Sequence, residues 1–154
     1  MPIRSKRMGH PYRSCSLPGP RHIRLLQLAC EGPDLARARW RFSVANLDSL
    51  PYSYIAISYV WGGDPSSENG VLFEGGGCVN VTDSAAAVLR GIVASRATKY
   101  YWMDALCINQ SDKEEKSYQI PLMYDIYSSS EKVLAWQARI RKTVRRRWTS
   151  YRCW

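Results

Sequence analysis

Residues 102–127 read Trp102-Met-Asp-Ala-Leu-Cys-Ile-Asn-Gln-Ser-Asp-Lys-Glu-Glu-Lys-Ser-Tyr-Gln-Ile-Pro-Leu-Met-Tyr-Asp-Ile-Tyr127. An apolar stretch, a polar loop and a charged helix start follow one another without a gap. Residues 100–108 form a nearly continuous apolar run, the pattern of a central strand. Asp104 stands inside that run, where an unpaired charge is expensive. A residue set against its surroundings in this way marks a functional or specially supported position. Ser111-Asp-Lys-Glu114 has the spacing of a capping box, so a helix starts there. Pro121 removes an internal hydrogen bond and is expected to kink or split that helix. Tyr118, Leu122, Met123, Ile126 and Tyr127 make its core face.

Working outward, Tyr54-Ile-Ala-Ile-Ser-Tyr-Val-Trp61 is a β-branched and aromatic strand stopped by Gly62-Gly63. Residues 64–70 read as a polar loop. Residues 71–73 and 78–81 flank Glu74-Gly-Gly-Gly77 as a hairpin. Thr82, Asp83 and Ser84 offer helix N-caps. Ala85, Val88, Leu89, Ile92 and Val93 then recur at helical spacing as one buried stripe. Residues 133–136 form a third strand of the buried type. Residues 23–28 read as a short edge strand and 37–44 as a further element. Strand, helix, strand, helix, strand predicts an α/β fold: a small open parallel sheet with flanking helices, right-handed crossovers and a hairpin insertion. Ligand sites in such sheets lie beyond the carboxyl ends of the strands. Two of those ends are Trp61-Gly-Gly-Asp64 and Asn109-Gln-Ser-Asp112, which are expected to meet at one rim.

A chain of 154 residues is the size of one domain, and 45% hydrophobic content supports a core. No apolar run has the length of a membrane span. The net charge of +9 is unevenly placed: residues 1–24 hold six bases and residues 137–154 seven, with no acid in either, while the middle is net −4. The expected division is a disordered basic leader at 1–20, a domain at 21–136 and a basic tail at 137–154 that is foreign to the domain. Basic tails attract nucleic acid or anionic membrane, but no recognition module surrounds Trp148, Tyr151 and Trp154. Five cysteines, at 15, 30, 78, 107 and 153, have no Cys-x-x-Cys spacing and no nearby histidine cluster, so no metal site is expected. The odd count and wide spacing fit a reducing, cytoplasmic location. Cys107 reads as a small strand hydrophobe. The two histidines, His10 and His22, lie in the N-terminal segment, which weakens a Cys-His mechanism.

Three blocks resemble the fungal heterokaryon-incompatibility (HET) domain. They are Ala56-Ile-Ser-Tyr-Val-Trp-Gly62; Trp102-Met-Asp-Ala-Leu-Cys-Ile-Asn-Gln110 with Asp112, Glu115 and Gln119; and Met123, Ile126-Tyr127 and residues 133–136. The resemblance spans about residues 23–136 and its second block is highly specific. It implies self/non-self recognition leading to regulated cell death, through protein partners or self-association. It also implies a fold similar to the TIR domain, flavodoxin-like but incomplete at the carboxyl terminus. At one further remove it implies NAD as a substrate of cleavage. The chain departs from the family's pattern at Lys116, where arginine is usual, and after Trp136, where Leu-Gly is usual. Lysine keeps the charge but loses the planar fork of donors.

Glu115 is the catalytic candidate that follows. In the first turn of a helix it would stabilise positive charge developing on a ribose. Its ordinary reading is as a complement to the helix dipole. Asp104 reads as structural support, accepting backbone N–H bonds or pairing with Arg90 or Lys116. Asn109 and Gln110 suit either a polar ligand or loop closure. Trp61, Gly62, Asp64, Asp112 and Gln119 complete the expected ligand rim. Residues 75–77 do not form a phosphate loop, because no Lys-Ser/Thr follows. Tyr59, Tyr118, Tyr124 and Tyr127 read as packing residues.

Overall fold

The computed structural model describes residues 10–136 and the backbone of residues 148–151. Along the chain run α1 (Pro11–Ser14), β1 (His22–Cys30), β2 (Arg39–Asn46), β3 (Tyr54–Tyr59), β4 (Ser66–Leu72), β5 (Cys78–Val81), α2 (Asp83–Ser95) and β6 (Tyr100–Trp102). They are followed by α3 (Asp104–Cys107), α4 (Lys113–Gln119), a 3₁₀ turn (Ile120–Leu122), α5 (Met123–Ser128), β7 (Lys132–Trp136) and β8 (Trp148–Tyr151).

Six strands form one sheet in the order β2-β1-β6-β3-β7-β8. The centre is parallel: Ile55 of β3 lies opposite Tyr101 of β6 on one side and Lys132 of β7 on the other. The flanks are antiparallel, with β1 on β6, β2 on β1 and β8 on β7. The all-parallel expectation is therefore corrected to a mixed sheet. Its parallel part is the three strands whose helical crossovers the hydrophobic pattern marked. β1 is interior, not an edge strand. Ile23, Leu25 and Leu26 are fully buried, so both faces of β1 are covered. Burying each such side chain stabilises by about 1.5–3 kcal/mol.

α2 forms as its pattern predicts. Thr82 caps it, accepting from the Ala85 N–H at 3.3 Å, and Ala85, Val88, Leu89, Ile92 and Val93 are all buried. The hairpin forms with Gly75, Gly76 and Gly77 at positive φ, as a tight turn requires. β4 begins earlier than expected, inside the stretch read as loop. Pro121 divides the following helix into α4, the 3₁₀ turn and α5.

The apolar run at 100–108 is where expectation and structure part. β6 ends at Trp102, and α3 is a single turn closed by the Leu106 and Cys107 N–H groups donating to the Met103 carbonyl. Asp104 is thus in the first turn of a helix, not mid-strand, and Cys107 is a buried helical residue. A short apolar run has no period of its own, and burial of Leu106, Cys107 and Ile108 on all sides satisfies either conformation. The helix cap also shifts by one: Asp112, not Ser111, accepts from the Glu114 and Glu115 N–H groups. In β7 only Trp136 is buried, because a single antiparallel strand lies beyond it. Tyr124 is exposed rather than packed.

Residues 10–20, read as part of a leader, belong to the fold. Tyr12 is buried and its hydroxyl donates to the Leu106 carbonyl at 2.7 Å. Residues 1–9, 137–147 and 152–154 lie outside the described residues, and with them most of the basic tails.

Candidate functional site

Two adjoining cavities open beside the loop that follows α3, and the second of them also meets the loop that follows β3. The first, of about 460 Å³, is lined by Tyr12, Arg24, Asn109, Asp112, Glu115 and Tyr118 among others. The second, of about 340 Å³, has Trp61, Val81, Ala105, Asn109 and Gln110 in its wall. His10, Tyr12, Asn109 and Ser111 border both. The loops after β3 and α3 therefore share one rim.

Glu115 faces the first cavity together with Asn109. Its carboxylate is engaged from behind by Arg24 of β1: Nη1 lies 2.5 Å from Oε1, and Nη2 lies 3.0 Å from Oε2. The Asn109 N–H donates to the same Oε1 at 2.8 Å. Both charged side chains are buried. Arg24 makes two further bonds, donating from Nε to the Cys15 carbonyl at 2.7 Å and from Nη1 to the Cys107 carbonyl at 3.2 Å. The Tyr12 ring covers its guanidinium at 4.9 Å. A buried pair of charges persists only when its remaining donors and acceptors are satisfied in this way. The pair joins β1, the N-terminal segment, α3 and α4 at one point.

Asp104 makes the second junction. Its Oδ2 accepts from the Trp61 indole N–H at 2.9 Å and its Oδ1 from the Ala105 N–H at 2.8 Å. Its main-chain carbonyl accepts from the Gln110 amide at 2.9 Å. One residue thus ties the loop after β3 to the loop after α3. The pairing expected with Arg90 or Lys116 does not form. Arg90 of α2 instead donates to the Asn69 side-chain oxygen of β4 at 3.1 Å. Burial raises the Asp104 pKa above the usual aspartate range, against the opposing effect of the Trp61 and Ala105 donors. Tyr59 lies beside the same carboxyl group, and burial together with that charge raises its pKa. Burial pushes the Cys107 thiol up to about 12, far from the thiolate that nucleophilic chemistry needs.

The remaining expected residues divide. Trp61 is half exposed, and Asn109, Gln110 and Asp112 line the cavities. Gly62 sits against Ser84 and Asp64 is exposed on the loop, and neither is in the wall of these two cavities. Gln119 is fully buried, and its amide N–H donates to the His22 carbonyl at 2.8 Å, so it closes the core behind the site. Arg24 and Tyr12 escaped the sequence reading. An arginine within the apolar run Ile23-Arg-Leu-Leu-Gln-Leu28 is the same kind of anomaly as Asp104 and was the available signal. Among the described residues no cluster of three metal-ligating side chains occurs. No helix among them is long and apolar enough to cross a membrane.

Residues 54–151 match the model of the family described as heterokaryon incompatibility protein (HET). The match runs past Trp136 into the segment expected to be foreign to the domain. Heterokaryon incompatibility protein 6, OR allele, of Neurospora crassa is 36% identical over 140 residues, covering 81% of this chain and 20% of that protein. The chain therefore spans about one fifth of the length of this curated relative. No solved structure matches.

Proposed function

The chain belongs to the heterokaryon incompatibility protein (HET) family, and on that premise we propose that it acts in heterokaryon incompatibility, in self/non-self recognition that leads to cell death. Convergence carries the reading. The stretch most specific to the family, residues 102–110, supplies Asp104, Asn109 and Gln110 to one rim, which Trp61 of the first family block completes. We place its action in the cytoplasm, through protein partners or self-association. The parallel strands β6, β3 and β7 have the order 2-1-3 with which a flavodoxin-like sheet begins. That order supports a TIR-like relationship for the inner unit, with β1, β2 and β8 added around it.

Glu115 serves this site as an anchor and not as a catalyst. A carboxylate that already accepts three hydrogen bonds, two from a guanidinium, is committed to holding the loop at Asn109. The test is expression of the chain in fungal hyphae under an inducible promoter. Growth arrest and loss of viability are expected, abolished by Asp104→Ala or Trp61→Ala in protein that still accumulates. Hyphae that grow normally with abundant folded protein would overturn the proposal.

A further inference from the structure

β5 offers its edge, not a face, to the second cavity. Successive residues of a strand point to opposite sides, yet Cys78, Val79, Asn80 and Val81 all line that groove. Among the described residues, the hydrogen-bond phase leaves the outward groups of β5 unpaired. The Phe73 N–H donates to the Gly77 carbonyl, so the next bonded pair is Val71 with Val79. Cys78 and Asn80 therefore turn their N–H and C=O groups away from β4. β4 itself is tied to β2, through the Glu74 N–H to the Trp40 carbonyl at 2.9 Å and the Trp40–Phe73 bridge. That leaves β5 as the outer edge of the hairpin.

The edge carries no protective side chain, and α3 packs near part of it. Protected edges carry lysine, proline or charge, and β5 has none, whereas β2 carries Arg39 and Arg41. The groove contains no Asp, Glu, Lys or Arg in its wall. It offers the apolar surfaces of Trp61, Pro65, Val79 and Val81 beside the amides of Asn80, Asn109 and Gln110. The Asn109 amide N–H₂ and the Gln110 amide oxygen make no hydrogen bond to other described residues. Unpaired strand-edge groups, free amides and neutrality together are the chemistry that recognises another peptide backbone.

We propose that this groove takes an extended, uncharged segment of a partner protein, added beside β5 as a third strand. The proposal rests on the incompatibility reading only in taking the ligand to be a protein. The test uses the purified full chain and a fluorescein-labelled hexapeptide of alternating threonine and valine. Its comparators are the same peptide N-methylated at alternate positions and one of alternating lysine and glutamate. Saturable binding of the first peptide is expected, weakened at least about tenfold by N-methylation and by charge. Asn80→Pro removes the outward N–H on an edge strand, where proline is tolerated. It is expected to cost about tenfold in affinity, while Asn80→Ala stays within about threefold. Absence of saturable binding to the folded chain overturns the proposal, as does binding indifferent to N-methylation. Dimerisation through β5 in place of peptide binding also overturns it. None of these results depends on whether the chain kills hyphae.

Discussion

Arg24 and Glu115, separated by 91 positions in the chain, meet as a buried two-pronged ion pair whose acid forms part of a cavity wall. Four segments take their relative positions from it: β1 carries the arginine, α4 carries the glutamate, and Cys15 and Cys107 supply carbonyls to the guanidinium. The first three predictions concern this network and the Asp104 junction.

Removing one partner leaves the other charge buried alone. Arg24→Met and Glu115→Leu are each expected to lose about 3–5 kcal/mol of stability. The double variant is expected to recover much of that loss, since neither charge then needs the other. Urea titration of the four proteins gives the coupling directly. Additive losses would show that the two side chains do not act as a unit.

If Glu115 is an anchor, purified chain incubated with NAD is expected to release no nicotinamide above the buffer control. Steady release that disappears in Glu115→Gln, with the melting curve unchanged, would return the residue to catalysis.

Asp104 has a raised folded-state pKa. Between the ordinary aspartate value and that raised value, the folded state binds more protons than the unfolded state. Stability is therefore expected to fall as pH rises through this window. Asp104→Asn keeps an acceptor for the Trp61 indole and has no proton to lose. Urea midpoints across mildly acidic pH should slope downward in the native chain and lie flatter in the variant. An identical slope in both would assign the pH dependence to other groups.

Tyr12 tests whether the N-terminal segment belongs to the fold. Tyr12→Phe is expected to cost about 0.5–1.5 kcal/mol for the lost bond to the Leu106 carbonyl. Tyr12→Ala is expected to cost about 3–5 kcal/mol, as for other large buried rings, and to loosen the cover over Arg24. Faster amide exchange at residues 104–110 in the alanine variant is the signature to seek.

Thiol reactivity should follow burial. Cys30 and Cys78 are exposed and Cys107 is fully buried. Under native conditions iodoacetamide is expected to label the first two within minutes and Cys107 only after unfolding, with its thiol pushed up to about 12. Mass mapping of the labelled peptides reads this out. Rapid native labelling of Cys107 would mean that α3 opens readily.

The elements legible in advance were those written in local chemistry. Residues 54–59 are apolar and β-branched, so they extend. The glycines at 75–77 permit positive φ, so they turn. The α2 stripe repeats at helical spacing, so it buries one face, and Pro121 interrupts a hydrogen-bond ladder wherever it stands. The loops at Trp61 and at Asn109–Gln110 do meet at one cavity, although the second of them follows α3 and not the end of a strand. The apolar run at 100–108 was misread because a short hydrophobic stretch buried on all sides has no periodicity to distinguish one turn of helix from a strand.

The amino-acid order alone determined β3, the glycine turn at 75–77, α2 and the break at Pro121, since each depends on neighbours a few residues away. Only the folded chain decided that β1 lies inside the sheet, that residues 10–17 wall the site, and that Glu115 answers Arg24. A charge can be buried only where an opposite charge and enough donors arrive from elsewhere in the chain, and that meeting is a property of three-dimensional packing.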